Sequence, residues 1–368
     1  MESLDINPTF WHSKKVFITG HTGFKGAWLS LWLQSLGAHV SGYALPPKTS
    51  PNLYDLAEVG SGMNSRVGDI CDFTSLKMAL RQSQPEIIFH MAAQAIVRKS
   101  YEDPIQTYQT NIMGTVYLLE AIRECNSAKA LVNVTSDKCY ENREWLWGYR
   151  ENEAMGGRDP YSSSKACSEL VTSAYRESFF SQNMHPQQGL AIATARAGNV
   201  IGGGDWSSDR LVPDLLESFR KRMSAIIRNP MATRPWQHVL EPLRGYLMLA
   251  EALFRNGNKF GKPFNFGPEN ADVKPVSWVA NELAGLWGNG AGWIIDEVGH
   301  PHEAHFLKLD ISRAKSELNW KPLLPLSEGL IQVMSWSKAH EAGENMRAYT
   351  LGQIKNYQKL QHNEIFYD

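Results

Sequence analysis

Residues 15–26 read KVFITGHTGFKG: a short apolar run, then Gly20, Gly23 and Gly26 at intervals of three, with Phe24 and Lys25 between the last two. The segment that follows, AWLSLWLQSLG, has the composition of a buried helix. A strand that ends in a glycine turn and enters a helix aims backbone N–H groups and a helix N-terminus at an anion, and this arrangement cradles the pyrophosphate of a dinucleotide. In that reading Gly20 makes the tight turn, Gly23 lets the pyrophosphate approach the backbone, and Gly26 lets helix and strand touch. The spacing is GxxGxxG rather than GxGxxG and by itself also describes a plain tight turn; the strand before it and the helix after it favour the dinucleotide. An acidic residue for the adenosine ribose would end the second strand, near HVSGYALPP, and none stands there. NAD and NADP both stay open on this ground, and modest cofactor affinity is expected. Asp69, in RVGDI, is placed either to reach the adenine side of the site or to cap a helix.

Other apolar runs repeat the strand signal. EIIFHMAA (86–93), ALVNVTS (130–136) and GLAIATARA (189–197) join KVFIT as runs too apolar for a sheet with one wet face, which predicts central parallel strands. Between them, 103–125 and 161–180 carry apolar residues three and four apart and read as crossover helices. The fold class is α/β, a doubly wound, mostly parallel Rossmann-type sheet. After residue 198 the texture changes to Gly, Pro and Trp punctuation. We therefore expect a dinucleotide-binding domain over 1–198 and a smaller substrate-binding lobe over most of 199–368, with part of 236–268 returning to the first domain and KPFNFGP (262–268) as the returning strand.

With 37 basic against 38 acidic residues the net charge is −1, so no global field attracts nucleic acid or an anionic membrane, and a small, locally recognised ligand is expected instead. MESLDINPTFWHSKK lacks the pattern of a secretion signal and no later run approaches a membrane span, which points to a cytoplasmic protein. The four cysteines form no CxxC pair and read as reduced packing residues. HPHEAH (300–305) gathers three histidines, but in a proline-bearing loop with no cysteine beside it; no metal is expected. His90 reads as a packed strand-end residue.

A second constellation is YSSSK. Tyr161 and Lys165 lie four apart, on one helical face, and an ammonium beside a phenol favours its anion. Such a pair also occurs by chance on surface helices. Upstream, however, NVTSDK ends a strand with Ser136, whose hydroxyl can hold a substrate hydroxyl beside Tyr161, and follows it with Asp137 and Lys138. Arg234, before Trp236, reads as an anion clamp or a structural ion pair.

These residues, with HMAAQ (90–94), QTNIMGT around Asn111, RAGNVIGGGDW (196–206), RPWQHV (234–239) and LKLDISRAKSELNWKP (307–322), resemble the extended short-chain dehydrogenase/reductases that act on nucleotide sugars. The resemblance spans nearly the whole chain. It implies NAD as cofactor, held by Gly20, Gly23, Phe24, Lys25, Gly26, Asp69, Ile70, Ala92, Ala93, Asn111, Tyr161 and Lys165. It implies a redox triad of Ser136, Tyr161 and Lys165, and a nucleotide sugar held by Gln94, Asn199, Arg234 and Asn265. Within the family the Asp137–Lys138 pair points to a 4,6-dehydratase, with CDP-glucose the expected substrate. Oxidation at C4 makes the C5 proton acidic; Asp137 then protonates the departing C6 hydroxyl, and Lys138 serves as base or stabilises the enolate. The related dTDP-glucose enzymes carry Asp-Glu there. A 4-epimerase using the same triad and a non-catalytic nucleotide-binding protein are the alternatives. The family's habit of pairing two helices across a two-fold axis implies a homodimer through a four-helix bundle of 103–125 and 161–180, with Ala166, Leu170, Ala174 and Phe179 on the sheet and Val171, Tyr175 and Phe180 outside it.

Overall fold

The computed structural model describes residues 6–180, 189–296 and 306–363; HPHEAH lies outside them. Among the described residues the strands β1 (Lys15–Thr19), β2 (His39–Ala44), β3 (Asn64–Val67), β4 (Ile87–His90), β5 (Ala130–Val134), β6 (Ala191–Ala197) and β7 (Pro263–Phe266) form one sheet in the order β7-β6-β5-β4-β1-β2-β3. Every pairing in it is parallel. The chain winds outward from β1 to β3, then returns to β4 on the other side of β1. That reversal opens a crevice beyond the carboxyl ends of β1 and β4, the place where such sheets bind ligands. The returning strand is real: β7 runs beside β6, with Asn265 opposite Arg196.

Both faces of the sheet are covered, which is why its strands are apolar throughout. Val16 and Ile18 meet a core containing Trp28 and Trp32 of α1 (Phe24–Ser35), while Phe17 and Ile88 face Leu76 and Leu80 of α2 (Phe73–Ser83) and Leu118 and Ile122 of α3 (Gly114–Arg123). The expected helix over 103–125 is interrupted. It comprises Pro104–Tyr108, a π turn over Gln109–Met113 and then α3, and the wide turn carries the buried Asn111.

The faces of α4 (Pro160–Phe179) differ from expectation. Leu170 is 58% exposed and Ala174 is exposed, whereas Phe180 is buried, and Val171, Tyr175 and Phe179 pack on its cluster; of the residues assigned to the sheet only Ala166 is buried. The helix meets the sheet through Ser164, Ser168, Glu169 and Thr172. The cause is the polar sheet beneath it: Asn133 donates to Ser168 and Thr172, while Thr194 and Arg196 donate to Glu169. Small hydroxyl side chains let the helix lie close to these groups, and a leucine there would leave them unpaired.

The helix α5 (Leu211–Arg220) shares a core with Val279 and Leu283 through Leu215, Leu216 and Phe219, and α6 (Leu240–Asn256) runs buried from Leu240 to Leu253. At its start, fully buried Glu241 accepts the N–H groups of Leu323 and Leu324, and burial pushes its carboxyl from 4.5 to about 7, against the pull of Arg244. The folded chain thus holds a proton that the unfolded chain releases, and stability from this group falls as pH rises from 4.5 through about 7. Glu241→Gln keeps the acceptor and loses the titration. Its melting temperature should gain on the wild type as pH rises from about 5 to about 8, as thermal melts at matched ionic strength would register. No helix among the described residues is long and apolar enough to cross a membrane.

Candidate active site

A cavity of about 1030 Å³ runs along the carboxyl edge of the sheet, between the glycine turn and the start of α5. Gly20 has φ +77, and a Cβ there would lie 2.7 Å from the Ala92 nitrogen; one on Gly26 would lie 2.2 Å from the Gly20 oxygen. Turn and helix contact therefore exclude side chains at these two positions. At Gly23 a Cβ would meet only the Gly20 oxygen at 3.4 Å, so its other side opens to the cavity as ligand approach requires. Phe24, Lys25, Asp69, Ile70, Ala92 and Ala93 also line it. Asp69 lines the cavity and its Oδ1 accepts the Cys71 N–H within a turn, while the cap of the following helix is Asp72.

The β5 carboxyl end delivers Ser136, Asp137 and Lys138; the first turn of α4, capped by Asp159 on the Ser162 N–H, delivers Tyr161 and, one turn on, Lys165. Ser136 Oγ donates to Asp137 Oδ1 at 3.1 Å and accepts the Lys138 N–H at 3.2 Å. Burial pushes the Tyr161 phenol up to about 12, with Ser136 and Arg210 pulling it down. Lys165 follows Tyr161 by one helical turn and stands in the same cavity. Its ammonium donates to the Val134 carbonyl at 3.3 Å, and burial brings it down to about 8 against the charge of Glu169. Glu169 is held by a buried two-pronged pair with Arg196, which fixes α4 against β6.

Asp137 is 2% exposed, and burial holds its carboxyl above the ordinary carboxylate range despite Lys138, Ser136, Arg234 and Lys25. Its Oδ2 has no partner among the described residues, and a Cβ on Gly198 would sit 1.8 Å from it. Gly198 is thus a site residue that the sequence reading passed over, although the RAGNV segment containing it was singled out. Lys25 shares this cavity: desolvation, Lys165 and Arg210 bring it to about 7, opposed by Asp137.

Several expected contacts are committed elsewhere. Asn265 is fully buried in β7, where it accepts from the Tyr140 hydroxyl and donates to the Tyr149 and Asp310 carbonyls; it does not line the cavity, because its amide is taken up by these groups. Asn111 also lies outside the lining: it accepts the Gln94 N–H and donates to Ser164, bracing the loop against α4. Gln94 lines the cavity, but its amide is taken by Ile96 and Thr107. Asn199 and Arg234 do line it; Asn199 has φ +41, and its carbonyl accepts the Gln237 N–H. His90 packs between Thr19 and Thr115, as expected.

The sequence reading missed a set of ion pairs across the far limb. Arg210 pairs with Asp205 at 3.0 Å, while Arg98 and Arg228 approach Asp209 at 3.3 and 3.9 Å. The GGGDW segment announces only Asp205; Arg98 and Arg228 carry no local signal, since only the tertiary fold brings them together.

A profile of the family described as GDP-mannose 4,6 dehydratase matches residues 17–252. The chain belongs to the GDP-mannose 4,6-dehydratase family. Within it, the chain is 53% identical over 352 residues to the CDP-glucose 4,6-dehydratase of Salmonella typhimurium, covering 96% of this chain and 98% of that protein. It is 27% identical to the dTDP-glucose 4,6-dehydratase of Streptomyces griseus over 75% of this chain and 77% of that protein. Among solved structures, the UDP-glucuronic acid 4-epimerase of Bacillus cereus, in complex with UDP-glucuronic acid and NAD, shares the fold with a TM-score of 0.75 at 22% identity, covering 88% of this chain and 98% of that one.

Proposed function

We propose that this chain is an NAD-dependent sugar-nucleotide 4,6-dehydratase whose substrate is CDP-D-glucose. The observation that carries the reading is the likeness of 53% over 96% of the chain to a CDP-glucose 4,6-dehydratase, in a chain whose Ser136, Asp137, Lys138, Tyr161 and Lys165 line a single cavity. The glycine turn and the Asp69–Ile70 wall fit NAD, with Gly23 open where its pyrophosphate would lie. When bound, NAD supplies the acceptor for the C4 hydrogen and the donor that restores hydrogen at C6.

The protein side chains divide the proton work. Tyr161 takes the C4 hydroxyl proton, with Ser136 holding that hydroxyl. The resulting ketone makes the C5 proton removable. Asp137, whose carboxyl burial holds above the ordinary carboxylate range, gives its proton to the departing C6 hydroxyl. Lys138 lines the cavity beside it; its amine takes the C5 proton and returns it to C5 when C6 receives its hydrogen. Arg234, whose charge reaches Asp137, binds the diphosphate together with Arg210. An epimerase needs no acid at C6, so the Asp137–Lys138 pair favours dehydration. Incubation with CDP-glucose and NAD should yield a 4-keto product with base-dependent absorbance, faster than dTDP-glucose does; faster turnover of dTDP-glucose would reject the substrate.

We also propose a homodimer. Ile105 and Leu170 are 71% and 58% exposed, and Met113 39%, on the helices expected to pair. A dimer mass at micromolar concentration is expected, and Leu170→Glu should reduce it to a monomer in light scattering.

A further inference from the structure

Cytosine differs from uracil and thymine along one edge: it presents an amino donor at position 4 beside an acceptor at N3, where the others present the O4 acceptor beside N3–H. A site that prefers cytosine needs an acceptor facing position 4. The cavity shows where the base must lie. The sugar has to reach Tyr161 and Asp137, and the glycine turn occupies one limb. Arg234 acts on Asp137 and Arg210 on Tyr161, so an anionic diphosphate leaves the triad toward α5. There the limb is walled by Leu211, Leu215, Ala225 and Ile226, from the start of α5 and the strand Ala225–Ile227, an apolar lining suited to a flat ring.

Asp214 lines this same limb, three residues after Leu211 on one face of α5. The residue is exposed, and among the described residues its carboxylate makes no hydrogen bond or ion pair. The arginine nearest in charge, Arg228, is drawn to Asp209. Desolvation, with Asp209 adding to it, raises Asp214 to about 6, which leaves it mostly ionised at neutral pH.

We propose that Asp214 reads the base: its carboxylate accepts a hydrogen from the N4 amino group of cytosine and repels the O4 of uracil or thymine. This rests on the CDP-glucose reading above. The test compares kcat/KM for CDP-glucose and UDP-glucose in the wild type, Asp214→Asn and Asp296→Asn, because Asp296 lines the same cavity. The asparagine amide can accept from N4 or donate to O4, so Asp214→Asn should lower the CDP-to-UDP preference by about 10-fold or more, through KM more than kcat. The conservative change keeps shape and start-of-helix polarity, and matched circular dichroism and NAD binding establish that the variant is folded. A wild type that prefers UDP-glucose overturns the substrate reading, and this inference with it. A wild type that prefers CDP-glucose, with the ratio kept in Asp214→Asn or altered only in Asp296→Asn, overturns this inference alone.

Discussion

Tyr161→Phe should leave NAD oxidised when CDP-glucose is added and lower kcat by about 10³-fold or more. The reasoning follows the order of bond changes. Until the C4 hydroxyl loses its proton, no ketone forms; without the ketone the C5 proton is not acidic and the C6 hydroxyl has no route out. Tyr161 is the group of the triad placed to take that proton, since the Ser136 hydroxyl donates its own hydrogen to Asp137 and the Lys165 ammonium donates to the Val134 carbonyl. Its phenol near 12 is a poor base in the free protein, so activity depends on positive charge gathering around it. Lys25 near 7 and Lys165 near 8 are the groups whose charge is lost first. Activity should therefore rise with pH as the phenol yields its proton and fall above about 8 as these ammonium groups discharge. Phenylalanine fills the same buried volume, so the variant should fold. Absorbance of reduced nicotinamide after mixing decides the point: its appearance at the wild-type rate would remove Tyr161 from the oxidation step.

The parts of this site that were legible in the sequence are those encoded locally. Gly20 and Gly26 are excluded from carrying side chains by atoms within a few residues or across the adjoining strand, and KVFIT is a strand over the expected residues. Tyr161 and Lys165 share a face because four residues make about one helical turn. What failed was orientation against distant partners. The faces of α4 were read from the spacing of apolar residues, but Asn133, Thr194 and Arg196 sit below it and select Ser168, Thr172 and Glu169. Asn265 was matched by motif, yet the position of β7 beside Glu151 and Tyr140 decides what its amide meets. The meeting of Arg98, Asp209 and Arg228 joins three segments far apart in the chain, and no spacing rule reaches across them.

Gly198→Ala should stall the reaction after oxidation, with reduced nicotinamide accumulating and product formation slowed about 10²-fold. The position follows β6 directly, and the space a methyl group would take is held by the Asp137 carboxylate, 1.8 Å from the built Cβ. Asp137 cannot yield inward, because it is buried and accepts the Ser136 hydroxyl hydrogen at 3.1 Å. The methyl group therefore displaces the acid from its place in the cavity wall. Overpacking of this kind costs about 1–3 kcal/mol, a loss the fold should survive, and Tyr161 and Lys165 stand on a different element and keep their geometry. Asp137→Asn should give the same stall without the steric change, since an amide has no proton to give at the working pH. The pH dependence adds a separate sign: Asp137 holds its proton to higher pH than an ordinary carboxyl, so in the wild type the elimination should weaken as pH rises through its elevated value. Rapid mixing with CDP-glucose, following reduced nicotinamide and 4-keto product together, separates the steps. If Gly198→Ala forms product at the wild-type rate, the placement of Asp137 is not what drives loss of the C6 hydroxyl; if it forms no reduced nicotinamide while still binding NAD, the glycine serves the oxidation instead.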